Sequence, residues 1–126
     1  RFRKLEHLRF DNPVYVNAPH DEADVLLVGF NSTRGAIEEA QETLNKEGIK
    51  TNHAHIKLIH PFPADIMSEL VDKAKKVIVV ENNLTGQLAN IMKMSIGGHA
   101  KIRNVVKYDG TPFLPRELTN LVKEEL

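Results

Sequence analysis

The chain has 126 residues, 41% hydrophobic and 27% charged, the size and composition of one globular domain able to bury roughly two thirds of its unfolded surface. Its 17 basic and 17 acidic residues give a formal net charge of zero, which leaves no electrostatic case for a nucleic acid or an anionic membrane as partner. Cysteine is absent, so disulfides, thiolate-bound metals, cysteine-ligated iron–sulfur clusters and cysteine nucleophiles are excluded within the chain. No apolar run approaches the ~18 residues of a membrane span and nothing resembles a secretory signal, so a cytoplasmic setting is expected. The sequence starts at Arg1 rather than at methionine, and a fragment of a longer polypeptide is expected.

Residues 1–20 read as a tether: a basic, weakly periodic stretch (RFRKLEHLRFDN), a short extended segment from Pro13 to Val16, and the start of a turn at Ala18. Residues 21–126 read as the domain. Asp24 to Phe30 (DVLLVGF) is a near-continuous apolar run, the mark of a strand covered on both faces in a mostly parallel sheet. A loop and cap follow at 31–35. Then Ala36, Ile37, Ala40 and Leu44 share one helix face, with Glu38, Glu39, Glu42 and Lys46 outside and Gly48 closing the helix. The next strand spans 49–59. Its Ala54, Ile56 and Leu58 alternate with His53, His55 and Lys57, which predicts one buried face and a less buried one carrying the histidines. His60-Pro61-Phe62-Pro63 stops it, and Pro63 opens a helix burying Ile66, Met67, Leu70, Val71 and Ala74. A strand over 76–82, a helix over 86–96 ended by Gly97-Gly98, a strand over 102–108, a turn and a helix opened by Pro115 complete the chain. This alternation is that of a doubly wound α/β domain with helices on both faces.

In such a sheet the turns after the strands' carboxyl ends meet ligands and partners. The densest polar group lies there: Glu81-Asn82-Asn83, followed by Thr85-Gly86-Gln87. Glu81 is a candidate general base or ion-pair partner across an interface; as the structural alternative, Asn83 or Thr85 caps the helix and Gly86 permits close packing. Asn31-Ser32-Thr33-Arg34-Gly35 is a second candidate. Its backbone N–H groups suit a phosphate or carboxylate with Arg34 adding charge, or it is a capped turn with close backbone approach at Gly35. Neither G-x-G-x-x-G nor G-x-x-x-x-G-K-[ST] occurs. His53 and His55 form a metal pair with no third ligand in view, or sit on a partly exposed sheet face. His60, before a proline at a strand end, points into a shared site or is a turn histidine. The N-x-[ST] triplets at Asn31 and Asn83 are read as turn caps rather than glycosylation sites. No nucleophile–base pair and no metal constellation emerges. The residues therefore describe a binding or assembly domain with no catalytic, cofactor-binding or metal residue of its own. Its expected interface is Ser32, Thr33, Arg34, Gly35, His60, Glu81, Asn82, Asn83, Gly86 and Gln87.

From about Lys4 onward the chain resembles the transketolase C-terminal-like domain of the 2-oxoacid:ferredoxin oxidoreductase α subunit. The resemblance is carried by GFNSTRG over 29–35 (like that family's G-S-T-x-G), His60-Pro61-Phe62-Pro63, VVENN over 79–83 running into TGQLA over 85–89, and YDGTPF over 108–113. Phe30-Asn31 departs from the Gly or Trp-Gly expected before Ser-Thr. The Glu-Asn-Asn and Gly-Gln-Leu forms look more like 2-oxoglutarate-type than pyruvate-type enzymes. The resemblance implies a three-layer α/β/α sandwich around a mostly parallel sheet of about five strands with one antiparallel edge. It also implies a complex that decarboxylates a 2-oxoacid oxidatively, forms an acyl-CoA and reduces ferredoxin, with thiamine diphosphate, magnesium and iron–sulfur clusters held outside this chain. The implied partners are a thiamine-binding β subunit and a pyrimidine-binding domain of the same α chain, with CoA and ferredoxin acting on the whole enzyme. The equivalent domain of a transketolase or E1-type enzyme, and a free-standing module binding a small anion at the turns after Phe30 and Asn82, are the other readings.

Overall fold

The computed structural model describes residues 13–30, 33–57, 62–82, 87–97, 100–107 and 111–126. Among them a first strand, β1 (Val14–Asn17), precedes an alternation of strand and helix: β2 (Ala23–Phe30), α1 (Arg34–Lys46), β3 (Thr51–Ile56), α2 (Ala64–Asp72), β4 (Ala74–Glu81), α3 (Gln87–Ile96), β5 (Ile102–Val106) and α4 (Pro115–Glu125). The hydrogen-bonded order is β1-β3-β2-β4-β5. β1 runs antiparallel to β3 and every other pair is parallel, which is the mostly parallel sheet with one antiparallel edge that was expected. Val14 pairs with Ile56 and Asn17 with His53, so the sheet takes in part of the stretch read as a tether.

The apolar run of β2 forms the centre because both its faces are covered. Val28 lies in register with Ala54 on one side and Val79 on the other. Successive side chains point to opposite faces. Val25, Leu27, Ile78 and Val80 pack under α1 and α4, while Leu26, Val28, Val77 and Val79 pack under α2 and α3. The helices follow their apolar stripes: Ile37, Ala40 and Leu44 of α1 are fully buried, at a spacing that repeats one face of a helix. Gly48 and Gly97 end α1 and α3 at φ of 89° and 76°, backbone that glycine adopts without steric cost.

Two expectations are corrected. Ile66 is exposed, because the buried stripe of α2 is Met67, Leu70 and Val71 and a residue one step away is turned ~100° from it. The histidines of β3 do not face a partly exposed surface. All of Thr51–Ile56 is buried, with His53 at 0% and His55 at 6% exposure. β3 is an interior strand between β1 and β2, and α1 covers the face that carries Thr51, His53 and His55. Alternating polarity here separates two interiors of different composition, not an inside from an outside.

Candidate functional site

The connections leaving β2 and β4 diverge. α1 leaves β2 over one face of the sheet and α3 leaves β4 over the other, although the two strands are paired neighbours. Opposite exits from adjacent parallel strands open a crevice at the carboxyl edge, the topological switch point where open α/β sheets meet ligands and partners. Thr33 and Arg34 lie on the β2 side of it, Glu81 and Asn82 on the β4 side. Ser32, His60, Asn83 and Gly86 lie outside the described residues.

Glu81 ends β4 on the face covered by α3 and is 4% exposed. One carboxylate oxygen accepts the N–H of Leu88 at 2.7 Å and the other the N–H of Ala89 at 3.2 Å. The strand end thus supplies an anion to the first turn of the next helix, where unsatisfied N–H groups and the helix dipole favour negative charge. Glu81 itself occupies N–H groups that an external anion would need at this helix start. That counts against the small-anion reading of the turn after Asn82. Asn82 points to the opposite face, where its side-chain NH₂ donates to the Thr111 carbonyl at 2.9 Å. Lys107 supports the same corner: its ammonium contacts Glu117 at 2.7 Å and the Pro112 carbonyl at 3.1 Å. Gln87 is the exposed first residue of α3.

On the β2 side, the Thr33 hydroxyl does not cap α1. It accepts the Phe30 N–H and donates to the Phe30 carbonyl, each at 3.2 Å, closing the strand-to-helix turn. Arg34 is drawn away from the crevice. Its guanidinium donates to Glu38 at 3.0 Å and stacks 3.8 Å from the Tyr15 ring centroid on β1. Gly35 is not the site of close backbone approach: a Cβ there would meet nothing within 4 Å. The close approach is at Gly29, where a Cβ would meet Ile37 Cδ1 and, at 2.6 Å, Thr33 Oγ1. Gly29 is thus required by packing rather than by φ.

A polar seam beneath α1 escaped the sequence reading. Arg34, Glu38, Gln41 and Asn45 recur at i, i+4, i+7 and i+11, one helix face beside the apolar stripe. Gln41, 3% exposed, donates to the Asn17 and Thr51 carbonyls at 3.0 Å and accepts from Asn17 Nδ2 at 3.3 Å. Asn45 and Thr51 exchange bonds of 2.8 and 3.2 Å. Farther along the seam lies His53, edge-on to Tyr15 at 5.8 Å and to His55 at 6.0 Å. Neither ring nitrogen of His53 has a hydrogen-bond partner among the described residues. Burial first, and then the neighbouring His55, lower its pKa from the usual 6.5 to about 4. The i, i+4, i+7 recurrence was the available signal for this seam. Among the described residues no group of three or more His, Asp or Glu side chains that could hold a metal ion occurs.

The family model described as pyruvate:ferredoxin oxidoreductase core domain II matches residues 23–118. The chain is 36% identical over 129 residues to 2-oxoacid:ferredoxin oxidoreductase 2, subunit alpha, of Aeropyrum pernix, a match covering 100% of this chain and 20% of that subunit. It is similar to the structure of 2-oxoglutarate:ferredoxin oxidoreductase from Magnetococcus marinus with 2-oxoglutarate, coenzyme A and succinyl-CoA bound. The TM-score is 0.82 at 32% identity, covering 98% of this chain and 21% of that one. A split-gene transketolase gives a TM-score of 0.73 at 17% identity over 90% of this chain and 41% of that one, which shows a shared fold alone. The chain spans about a fifth of the length of the curated relative from A. pernix.

Proposed function

Because the chain belongs to the pyruvate:ferredoxin oxidoreductase core domain II family, we propose that it is this domain of the α subunit of a 2-oxoacid:ferredoxin oxidoreductase, acting in subunit assembly and site completion. The observation that carries this reading is the 36% identity along the whole chain with a subunit alpha. The carboxyl edge supports it. Glu81, Asn82, Thr33, Arg34 and Lys107 each hold a neighbouring group of the same domain, so the edge is a preorganised surface rather than a nucleophile with its base.

The substrate class proposed for the complete enzyme is 2-oxoglutarate. The ENN and GQL forms of 81–88 support it, as does the likeness to a structure with that oxoacid bound. The complete enzyme would use thiamine diphosphate with magnesium to decarboxylate the oxoacid and iron–sulfur clusters to pass electrons to ferredoxin, leaving an acyl-CoA. The buried carboxylate at the crevice, Glu81, is engaged by helix N–H groups, which supports placing the thiamine site outside this domain. Those cofactors are assigned to a pyrimidine-binding domain of the same subunit and to a partner β subunit. A cytoplasmic setting belongs to the same reading; no helix among the described residues is long and apolar enough to cross a membrane.

Co-expression of the α subunit containing this domain with a thiamine-binding β subunit, followed by viologen-reduction assays over several 2-oxoacids with CoA, tests the proposal. The complex is expected to turn over and to prefer 2-oxoglutarate, while the 126-residue chain alone stays inactive. Viologen reduction by the isolated chain would overturn the non-catalytic role. A preference for pyruvate would overturn the substrate assignment.

A further inference from the structure

The seam between α1 and the edge of the sheet contains one group that is out of keeping with its surroundings. His53 is fully buried, and neither of its nitrogens is satisfied within the described structure. A buried, unsatisfied polar side chain costs stability that an apolar residue of similar size would not. Its neighbours are unfavourable to added positive charge. From β3 it faces His55 at 6.0 Å; from β1 it faces Tyr15 at 5.8 Å. From α1, Arg34 disfavours the charged imidazole and Glu38 favours it, but Glu38 is already bound to Arg34 at 3.0 Å. From β2 the register places apolar Leu27 beside it.

The covers of His53 are not equally secure. α1 is held by Ile37, Ala40 and Leu44, each fully buried. β1 has four residues, pairs with a single strand, and leaves Val16 exposed. Relief of a charge at His53 therefore comes most cheaply by moving β1, which carries Tyr15, while the rest of the sheet stays closed.

We propose that this seam is an acid-responsive latch, in which a proton on His53 releases edge strand β1 from β3 without unfolding the central sheet. The released edge removes the Tyr15 ring from beside His53, so that water reaches the imidazole from the side of the sheet, and uncovers the outer hydrogen-bonding groups of β3. Arg34 loses its Tyr15 platform in the same step, so the latch connects the edge strand to the start of α1 at the carboxyl edge.

Hydrogen exchange followed by mass spectrometry on the 126-residue chain, from about pH 7 down to about pH 4.5 and corrected for intrinsic exchange rates, tests this. Peptides covering Val14–Asn17 are expected to lose protection by about tenfold more than those covering β4. His53→Leu should abolish that difference. Equal loss in β1 and β4, or an unchanged β1 response in His53→Leu, would overturn the latch. Should His53→Leu not fold, NMR titration of the wild-type imidazoles decides. Proton uptake by His53 that coincides with loss of β1 protection supports the proposal, and uptake that leaves β1 protected overturns it.

Discussion

Removing the Glu81 carboxylate should unravel the start of α3. In Glu81→Ala, the N–H groups of Leu88 and Ala89 lose acceptors at 2.7 and 3.2 Å while their residues remain only 4% and 3% exposed. Leaving a buried donor unsatisfied costs about 1–3 kcal/mol, and loss of a carboxylate from a helix N-terminus adds about 0.5 kcal/mol. Two such donors, with some relief as water enters the frayed turn, put the loss at about 3 kcal/mol. With a urea dependence of about 1.5 kcal/mol per molar, the midpoint falls by about 2 M. Glu81→Gln keeps one acceptor oxygen but turns an NH₂ group toward the second N–H, so it should lie between wild type and Glu81→Ala. Urea unfolding of the three proteins, with exchange protection at Leu88 and Ala89 measured alongside, checks this. A midpoint shift below about 0.5 M for Glu81→Ala, or unchanged protection at both amides, would refute the account of Glu81 as the cap of α3.

The glycines near the end of β2 and the start of α1 should respond in opposite directions. Gly29→Ala forces a methyl group against Ile37 and Thr33 and should destabilise by about 1–3 kcal/mol, whereas Gly35→Ala enters open space in the first turn of α1 and should stabilise by about 0.5–1 kcal/mol; thermal midpoints of the two variants separate them. Stability should also fall in acid through His53. Its folded-state pKa of about 4 lies below the ordinary 6.5, so the unfolded chain takes up the proton first. The His53 contribution is complete above the unfolded value and falls by about 2 kcal/mol near pH 5 and about 3 kcal/mol near pH 4. His53→Leu should flatten this part of the profile, read from urea midpoints across the pH range; parallel wild-type and variant profiles would contradict it.

Much of the fold is local in origin, and so was legible in the chain. DVLLVGF has the length of a strand and is apolar at consecutive positions, the pattern of a strand covered on both faces. The stripe Ile37, Ala40, Leu44 fixes the inner face of α1, and Gly48 stops the helix because the left-handed backbone there suits a residue without Cβ. The position of the candidate site was legible for the same reason: polar residues after β2 and β4 stand at the strand ends where a parallel sheet opens. The family motifs added the antiparallel edge.

What those residues do was decided by tertiary structure. Glu81 reads in the sequence as a reactive carboxylate before a turn. Only the packing of α3 against β4 brings it under the N–H groups seven and eight residues ahead. Gly35 drew attention in the sequence, yet it is Gly29 that the close approach of Ile37 and Thr33 requires. The histidines of β3 alternate with apolar residues as a half-exposed strand would, and became buried because β1 and α1 close over them. Composition and spacing determine which segments form strands and helices, since backbone propensity and periodicity act within a few residues. Which polar group meets which partner depends on how the elements pack, whether the partners are seven and eight residues apart as at Glu81 or on different elements 24 positions apart as at Asn17 and Gln41.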